Sequence, residues 1–175
     1  IEQILKQFGN KVLVIGTMTG TLTTPESWDI VKQIKAHVDN GGTHVILEVS
    51  SHGIDQDRVH GLDFNIKCLT NISQDHLDYH KTFEHYKATK MRFMETYPGS
   101  SVFPDDIIEI TEKDVPQLIG EFHLKNVGMA VKVCQLLMIS THQIMPSLKL
   151  LTAPDGRFEL IDYGQGFNVI VDFAH

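Results

Sequence analysis

The sequence predicts an α/β fold in which a mostly parallel sheet is flanked by helices and a β-hairpin follows near the C-terminus. Short apolar runs, such as Val12–Gly16 and His44–Val49, alternate with longer stretches whose apolar residues recur at helical spacing. Strands separated by helices of this length are typical of parallel sheets. Later in the chain, Gly164-Gln165-Gly166 separates two β-rich runs, which is the pattern of a hairpin.

The other elements follow from periodicity and from residues that cap or break helices. Apolar residues at positions 1, 4, 5 and 8 share one helical face, so the chain is expected to open inside a helix. A helix is predicted between Pro25 and Gly41-Gly42, where apolar residues recur at helical spacing at Trp28, Val31, Ile34 and Val38. Further helices are predicted over 83–97, with Thr82 as N-cap, and over 127–138 and 143–151, and a strand over 66–70. The segment 101–120 has no clear pattern, and it is either a loop or a place where residues are missing.

Composition and charge exclude several classes of protein. The 175 residues suit one domain, and their net charge of -7 argues against a nucleic-acid partner. No apolar run approaches the roughly 20 residues that span a bilayer. Cys68 and Cys134 form no CxxC pair, which suits reduced thiols in a cytoplasmic protein. Because the sequence shows neither an initiator Met nor a signal peptide, we expect an excerpt from a longer protein. We also expect that protein to be a monomer.

Glu48 ends an apolar strand in the string Glu48-Val49-Ser50-Ser51-His52-Gly53. An acidic side chain at such a position is well placed to hold Mg²⁺ beside a nucleotide, directly or through water. The alternative is that Glu48 only caps the following turn. Position alone favours that simpler alternative.

A second polar string follows the next predicted strand and runs from Thr70 to His80 as Thr-Asn-Ile-Ser-Gln-Asp-His-Leu-Asp-Tyr-His. Several oxygen and imidazole ligands lie close together in it, which predicts a metal or phosphate site. His-rich turns are also common as polar surface, so the residues alone leave both interpretations open.

Lys90 is the one charged residue in an apolar helical seam formed by Phe83, Tyr86, Phe93 and Tyr97. Its stem would ordinarily pack on the core while the ammonium group reaches water. Alternatively, a partly desolvated, neutral lysine could add carbon dioxide and become a carbamate, which is an anionic oxygen ligand. Spacing alone favours the first interpretation.

Two weaker signals and one absence remain. The hydroxyls of Thr21-Leu22-Thr23-Thr24-Pro25 precede a helix and could bind anionic oxygens, although such runs are usually only turns. Arg157, in Gly156-Arg157-Phe158-Glu159, follows a tight turn, where a surface salt bridge is the ordinary explanation. No GxxxxGK[ST] string occurs in this chain, so it contains no Walker-type phosphate loop.

Together these strings resemble the UDP-N-acetylmuramoyl-tripeptide synthetases of the Mur ligase family, and the resemblance covers nearly the whole chain. Two strings are highly specific, namely Glu-Val-Ser-Ser-His beginning at Glu48 and Asp-His-Leu-Asp-Tyr-His beginning at Asp75. The matching strings occur in family order at 15–17, 22–26, 48–53, 56–59, 70–80, 84–90, 120–122 with Asn126, 156–159 and 171–175.

The resemblance implies the catalytic and metal-binding residues. Glu48 and His76 match residues that hold magnesium in this family. Lys90 matches a lysine that is carbamylated and helps to position a metal, so the resemblance reverses the preference set by spacing. These three residues would carry catalysis.

The resemblance also implies two sets of binding residues. Positions that contact the uridine-linked muramoyl peptide are matched by Thr23, Thr24, Ser50, Gln56 and Arg58. On the nucleotide side, Asn126 matches an adenine-contacting asparagine, whereas Arg157 and Asp172 match positions near the ribose and phosphates of ATP.

The implied activity is ATP-dependent amide bond formation in peptidoglycan synthesis, with Mg²⁺ as cofactor. ATP would phosphorylate the carboxylate of UDP-N-acetylmuramoyl-dipeptide to give an acyl phosphate. The amine of a free third amino acid would then attack, and ADP and phosphate would leave. Residues 1–175 would form the family's central ATP-binding domain, which is similar to P-loop NTPases.

This sequence departs from the family pattern in several places. The family's phosphate loop would lie before Ile1, and the uridine-binding N-terminal and amino-acid-binding C-terminal domains would lie outside this sequence. A segment would be omitted within 101–120, and His123 stands where the family usually has asparagine. We therefore expect residues 1–175 alone to be inactive and their parent protein to be a ligase.

Three alternatives stay open at this point. Another amide ligase of the same superfamily, such as a folylpolyglutamate synthetase or a sister Mur ligase, would share the fold. A metal-dependent phosphohydrolase built on Asp75, His76, Asp78 and His80 would need further carboxylates from other strand ends. A non-catalytic binding domain could keep the fold without ATP turnover.

Overall fold

A computed structural model of the chain describes residues 1–20 and 22–173 and divides into two compact units. The larger unit comprises residues 4–103 with Glu2, and the smaller unit runs from Pro104 onward and includes Ile1 and Gln3. Their boundary falls inside 101–120, the segment without a clear sequence pattern. Thr21, from the hydroxyl-rich turn, and Ala174 and His175, from the last matching string, lie outside the described residues.

The predicted strands and helices up to residue 103 are confirmed, with ends that differ by a few residues. Short elements that the sequence did not predict are α3, α4 and β4, and each contains three to five residues. The elements in chain order are α1 (Glu2–Gln7), β1 (Val12–Ile15), α2 (Ser27–Asp39), β2 (His44–Leu47), α3 (Ser51–Asp55), β3 (Ile66–Cys68), α4 (Leu77–His80), α5 (Phe83–Thr96) and β4 (Ser100–Val102).

The strands of the larger unit pair in parallel, which confirms the predicted α/β class. β1 pairs with β2, placing Ile15 opposite Leu47, and β3 pairs with β4, placing Ile66 opposite Ser100. Each pair is joined by a connection that contains a helix, as parallel strands require. Within the described residues these are separate two-stranded ladders rather than one continuous sheet.

Helix α2 is present as predicted, but most of the apolar residues whose spacing predicted it are exposed. Trp28, Val31 and Val38 are 74%, 45% and 59% exposed, respectively. Instead, Ile30 is fully buried in the core, and Ile34 of the same helix packs against that core. Apolar spacing therefore identified the helix without identifying the face that packs inward.

The core of the larger unit gathers side chains from β1 and β2, from the residues directly after β3 and β4, and from α2, α3 and α5. Phe93 and Met94 contribute from α5, and Phe93 makes edge-on ring contact with Phe64 at 5.1 Å between centroids. The other buried members of this cluster are Ile15, Ile30, Ile54, Val59 and Leu69. This core holds α5 against the strands and thereby fixes the position of the helix that carries Lys90.

Lys67 is a lysine on β3 that is only 3% exposed. Its ammonium group donates to the backbone oxygens of Met94, at 2.7 Å, and of Tyr97. These carbonyls lie at the end of α5, where backbone oxygens lack partners within the helix and where a cation is favoured by the helix dipole. Burial lowers the pKa of Lys67. The side chain thus ties the end of α5 to the neighbouring strand.

The smaller unit contains the predicted C-terminal hairpin. Strands β5 (Glu159–Ile161) and β6 (Val169–Val171) pair antiparallel, with Glu159 opposite Val171. Its helices are α6 (Glu121–Leu136) and α7 (Thr141–Ser147), and short 3-10 turns cover Pro104–Asp106 and Leu148–Leu150.

Helix α6 begins six residues before the predicted start at Val127. Its N-cap is Gly120, whose φ of 104° is readily adopted only by glycine. Inside the helix, a Cβ on Gly128 would overlap the backbone oxygen of Ile108, whose own N–H donates to Gly128 O at 3.3 Å. The absence of a side chain at Gly128 therefore lets the chain segment around Ile108 pack directly on the helix backbone.

Both cysteines are free, and Cys134 is buried. Burial raises the pKa of the Cys68 thiol to about 11, so very little thiolate forms near neutral pH. Among the helices in the described ranges, none has the length and apolar character needed to cross a membrane.

Replacing Lys67 with methionine should lower the free energy of unfolding by about 1–3 kcal/mol, because Lys67→Met leaves the Met94 and Tyr97 oxygens without their charged donor. Chemical denaturation measures this change. Lys35→Met is the control, since Lys35 is exposed on α2 and pairs with Asp39, four residues further along the helix. That variant should change stability by less than about 0.5 kcal/mol, and equal effects of the two substitutions would contradict the assigned role of Lys67.

Candidate functional site

Gly16 and Glu48 lie side by side where β1 and β2 end. The ladder continues one step beyond the strands, because Glu48 N donates to Ile15 O at 2.8 Å. The Glu48 carboxylate accepts a hydrogen bond from Thr17 N at 2.8 Å. A Cβ on Gly16 would overlap that carboxyl group, so glycine is what leaves room for it. The backbone of two neighbouring strands thus fixes the Glu48 side chain.

The turn after β2 is capped by Ser50 rather than by Glu48. The Ser50 hydroxyl accepts from Gly53 N at 3.1 Å and forms the N-cap of α3. The simpler interpretation of Glu48 as a cap of this turn is therefore wrong. Its carboxylate faces the loop after β1, and one carboxylate oxygen lies outside the bond to Thr17.

Thr24 is the centre of a hydrogen-bonded group of hydroxyls beside Glu48. It is 1% exposed, and its hydroxyl donates to Glu48 O at 2.9 Å and accepts from Ser50 N at 2.8 Å. The neighbouring Thr23 hydroxyl lies 2.9 Å from that of Thr17. Three residues predicted to bind substrate, Thr23, Thr24 and Ser50, are thus brought together around the ends of β1 and β2.

Arg58 joins the remaining predicted substrate residues to this group. Its guanidinium donates to Thr24 O at 2.8 Å and to Gln56 Oε1 at 2.6 Å. Its Nε lies 3.2 Å from a carboxylate oxygen of Glu26, an ion-pair distance. All five residues that the sequence assigned to the muramoyl peptide, Thr23, Thr24, Ser50, Gln56 and Arg58, therefore belong to one contiguous polar surface.

His76 adopts a backbone conformation that is uncommon outside glycine. Its φ and ψ of 54° and 33° are left-handed, and it immediately precedes α4. Its N–H donates to Asp75 Oδ1 at 2.8 Å, and its ring makes edge-on contact with the His52 ring at 5.0 Å between centroids. Such conformations are concentrated at functional sites, where the surrounding structure offsets their cost. Four other non-glycine residues among those described have a positive φ, so this conformation alone does not distinguish His76.

Lys90 and His76 both lie against the ring of Tyr86. The Lys90 ammonium nitrogen is 5.1 Å from the Tyr86 ring centroid, and the His76 ring is 6.2 Å from it. Tyr86 is buried, as is Phe93 one turn beyond Lys90, and both lie on the predicted seam of α5. Lys90 is half-buried on that seam, so the structure brings it to the same aromatic ring as His76.

His80 is a buried histidine at the end of α4 that is 3% exposed. Its Nδ1 lies 3.1 Å from the Nδ1 of His85, and its Nε2 has no hydrogen-bond partner among the described residues. Burial lowers the pKa of His80, and the nearby His85, His52 and His76 lower it further, whereas Asp55 opposes the shift. The net shift favours the neutral form of the ring.

A complete metal site of protein side chains is not formed by the described residues. Among these residues, no three His, Cys, Asp or Glu side chains lie together in a way that could hold a metal ion. Glu48, with one oxygen outside its Thr17 bond, fits Mg²⁺, which usually takes one or two carboxylates and fills its other positions with water and substrate phosphates. The phosphohydrolase alternative needed several converging carboxylates and gains no support.

The predicted nucleotide residues lie in the smaller unit. Asn126 and Arg157 are exposed, and Asp172 accepts a hydrogen bond from Phe158 N at 3.1 Å. His123, which stands where asparagine was expected, is 5% exposed and stacks on Phe122 at 4.2 Å between centroids. Burial lowers the pKa of His123, while a hydrogen bond with the Arg157 backbone and the charge of Asp172 raise it. His123, Arg157 and Asp172 therefore lie close together.

Comparison with known proteins identifies the family. Residues 1–114 match the model of the Mur ligase middle domain. The chain belongs to the Mur ligase family. Over its full length it is 31% identical to the UDP-N-acetylmuramoyl-L-alanyl-D-glutamate--2,6-diaminopimelate ligase of Geobacillus thermodenitrificans and 32% identical to that of Clostridium tetani, covering 48% and 47% of those proteins.

A solved structure shares the fold. It is that of a UDP-N-acetylmuramoyl-L-alanyl-D-glutamate--2,6-diaminopimelate ligase, with a TM-score of 0.74 at 20% identity, covering 92% of this chain and 44% of the other. The chain spans about half the length of the curated relatives it matches. The Geobacillus alignment extends over 235 residues although this chain has 175, so about 60 aligned positions have no counterpart here.

Sequence reasoning missed three residues of this candidate site. Thr17 binds Glu48 through its backbone N–H, and Asp55 and Tyr79 are hydrogen-bonded at 2.8 Å beside Gln56. Thr17 and Tyr79 occur in the matching strings, but a string assigns no partner to its members. A backbone donor such as Thr17 N carries no side-chain signal at all.

Gly16→Ala should destabilise the protein by about 1–3 kcal/mol, because the added methyl group displaces the Glu48 carboxylate. Urea denaturation measures the change. Gly20→Ala is the matched control, since the nearest atom to a Cβ at Gly20 lies at 3.7 Å, and it should change stability by less than about 0.5 kcal/mol. Combining Gly16→Ala with Glu48→Ala should remove most of the cost. A full cost in that background would show that the methyl group clashes elsewhere.

Stability should fall as the pH drops below 6.5, and His80 should cause part of this fall. Its pKa is lowered in the folded state, so below its ordinary value of 6.5 the unfolded chain binds a proton that the folded chain does not. The loss continues until the pH reaches the folded-state pKa, at up to about 1.4 kcal/mol per pH unit. Urea denaturation at pH 7.5, 6.5 and 5.5 tests this. His80→Phe should reduce the pH slope, and an unchanged slope would assign the effect to other groups.

Proposed function

We propose that the protein catalyses ATP-dependent amide bond formation, adding a third amino acid to UDP-N-acetylmuramoyl-dipeptide through an acyl phosphate in peptidoglycan synthesis. The observation that carries the proposal is the contiguous polar surface formed by Thr23, Thr24, Ser50, Gln56 and Arg58 next to Glu48. The relatives are named for this reaction with 2,6-diaminopimelate, which is therefore the first amino acid to test. A cytoplasmic location accords with those substrates.

The polar surface suits an anionic, hydroxyl-rich acceptor substrate. It presents the hydroxyls of Thr23 and Ser50, an amide and a guanidinium. The buried Thr24 does not face a ligand; its hydroxyl bonds to the backbone at Glu48 and Ser50 and so fixes the position of Ser50. A planar guanidinium can bind carboxylate or phosphate oxygens through parallel N–H groups. Because these groups are already held in place, little side-chain entropy would be lost when the muramoyl dipeptide binds.

Glu48 and His76 are proposed to bind Mg²⁺, which would neutralise charge on the phosphoryl group during transfer. The Glu48 carboxylate is oriented by its hydrogen bond from Thr17 N and occupies the space that a side chain at Gly16 would fill. His76 is aimed by its left-handed backbone and its hydrogen bond to Asp75. In the smaller unit, Asn126, Arg157 and Asp172 are proposed to contact ATP, with the buried His123 ring beside Arg157 and Asp172.

Lys90 is proposed to act as a carbamate, as the family resemblance implies. Its ammonium nitrogen lies over the Tyr86 ring, and that ring also contacts His76. A carbamate at this position would replace the cation with an anionic oxygen ligand near His76. This chemistry predicts that Lys90 carries an added carboxyl group, which mass spectrometry of the intact protein under bicarbonate detects.

The test is phosphate release by the full-length protein that contains this chain, supplied with ATP, Mg²⁺, UDP-N-acetylmuramoyl-dipeptide and 2,6-diaminopimelate. Release should require both the acceptor and the amino acid, and Lys90→Ala should lower its rate at least about 100-fold by removing a group that acts in the transition state. The control is Lys87→Ala, an exposed lysine one turn earlier on α5, which should leave the rate within about twofold of the wild-type rate.

Different outcomes separate the ligase from its alternatives. Release stimulated by folate and glutamate, but not by the muramoyl dipeptide, would identify a folylpolyglutamate synthetase. Binding of the dipeptide without any phosphate release would identify a non-catalytic domain. Full activity of Lys90→Ala would preserve the ligase assignment and return Lys90 to a packing role.

A further inference from the structure

Tyr79 lies at the junction of two parts of the proposed site. It belongs to α4, the short helix that follows His76, and its hydroxyl reaches the end of α3. There it donates to Asp55 Oδ2 at 2.8 Å and accepts from Gln56 Nε2 at 3.3 Å. One phenol oxygen therefore uses both its donor and an acceptor site to join α4 to α3.

The Gln56 amide is oriented from both of its ends. Its Oε1 accepts from Arg58 at 2.6 Å, and its Nε2 donates to Tyr79. Reversing the amide would place the NH₂ group against the guanidinium and the oxygen against a hydroxyl whose proton is already given to Asp55. A glutamine side chain is exposed at this position and would otherwise rotate freely. One Nε2 proton and one Oε1 lone pair remain available to a ligand.

The His52 ring packs against the Tyr79 ring. The centroids of these two rings lie 4.1 Å apart, and the centroid of the His76 ring lies 5.0 Å from that of His52. The Tyr79 ring also contacts the buried His80 ring at 4.8 Å. The ring is therefore fixed by packing, so its hydroxyl presents a defined partner to Gln56 rather than following it.

We propose that Tyr79 is a positioning residue for the acceptor substrate, which it serves by fixing the orientation of the Gln56 amide. The inference rests on the proposed ligase function and adds a residue to its acceptor side. Tyr79 does not contact the reacting atoms in this role. It acts through Gln56, so its loss should weaken acceptor recognition and leave the chemical step largely intact.

The experiment measures kcat and KM for the muramoyl dipeptide with the full-length protein and its Tyr79→Phe variant. This substitution removes the hydroxyl and keeps the packed ring. The KM for the acceptor should rise about 3- to 10-fold, while kcat and the KM for ATP change by less than about twofold. Tyr163→Phe is the control, because Tyr163 is 91% exposed in the C-terminal hairpin and should alter neither constant.

A double-mutant cycle distinguishes positioning through Gln56 from a general structural effect. In a Gln56→Ala background, Tyr79→Phe should raise the acceptor KM no further, because the amide that it orients is absent. Equal effects of Tyr79→Phe in both backgrounds would overturn the proposal. A fall in kcat with a raised Mg²⁺ requirement and unchanged acceptor KM would also overturn it, by placing Tyr79 with His76 instead.

The same assay distinguishes failure of the proposed ligase function from failure of the proposed role of Tyr79. Wild-type protein that shows no acceptor-dependent phosphate release would overturn the ligase function and, with it, the role of Tyr79. If the wild-type protein is active and the Tyr79→Phe variant is active with an unchanged acceptor KM, only the role of Tyr79 is overturned.

Discussion

The parallel pairing of β1 with β2 is the constraint that positions Glu48 and the proposed acceptor residues hydrogen-bonded around it. Parallel strands end at the same edge, and the register that sets Ile15 opposite Leu47 brings Gly16 next to Glu48. The bond from Glu48 N to Ile15 O continues this register, while the missing side chain at Gly16 gives the carboxylate its space. A slip of one residue would turn Glu48 to the opposite face of the ladder. The strand register therefore determines where the side chains around Glu48 can lie.

The elements of the fold were predictable where their signals are local. The strand β1, the helix α5 with its Thr82 cap and the C-terminal hairpin all follow from periodicity and turn residues that lie within a few positions of one another. The packed face of α2 was not predictable in this way. Ile30 is buried and Trp28 is exposed because of what lies against the helix, which depends on residues distant in the sequence.

The candidate site shows the same division. Specific strings predicted Glu48, His76, Lys90 and the acceptor residues by resemblance, and the structure brings the acceptor residues together. The contacts that orient them were not predictable, because they join distant positions. Arg58 reaches Thr24 across 34 residues, and Gln56 reaches Tyr79 across 23. A sequence string assigns the type of each group but not its partner, and the partner decides which hydrogen-bonding capacity is left for a ligand.

The proposed acceptor and nucleotide residues differ in how firmly they are held. Thr24 is buried and hydrogen-bonded, and Arg58 is fixed by three protein groups, whereas Asn126 and Arg157 are exposed. Ordering a flexible side chain on binding costs about 0.5–1.5 kcal/mol, so groups that are already ordered discriminate between ligands at less cost. The acceptor geometry is thus a property of the larger unit by itself. If the ligase proposal holds, selectivity for the acceptor is set before ATP binds, by the same strand register that positions Glu48.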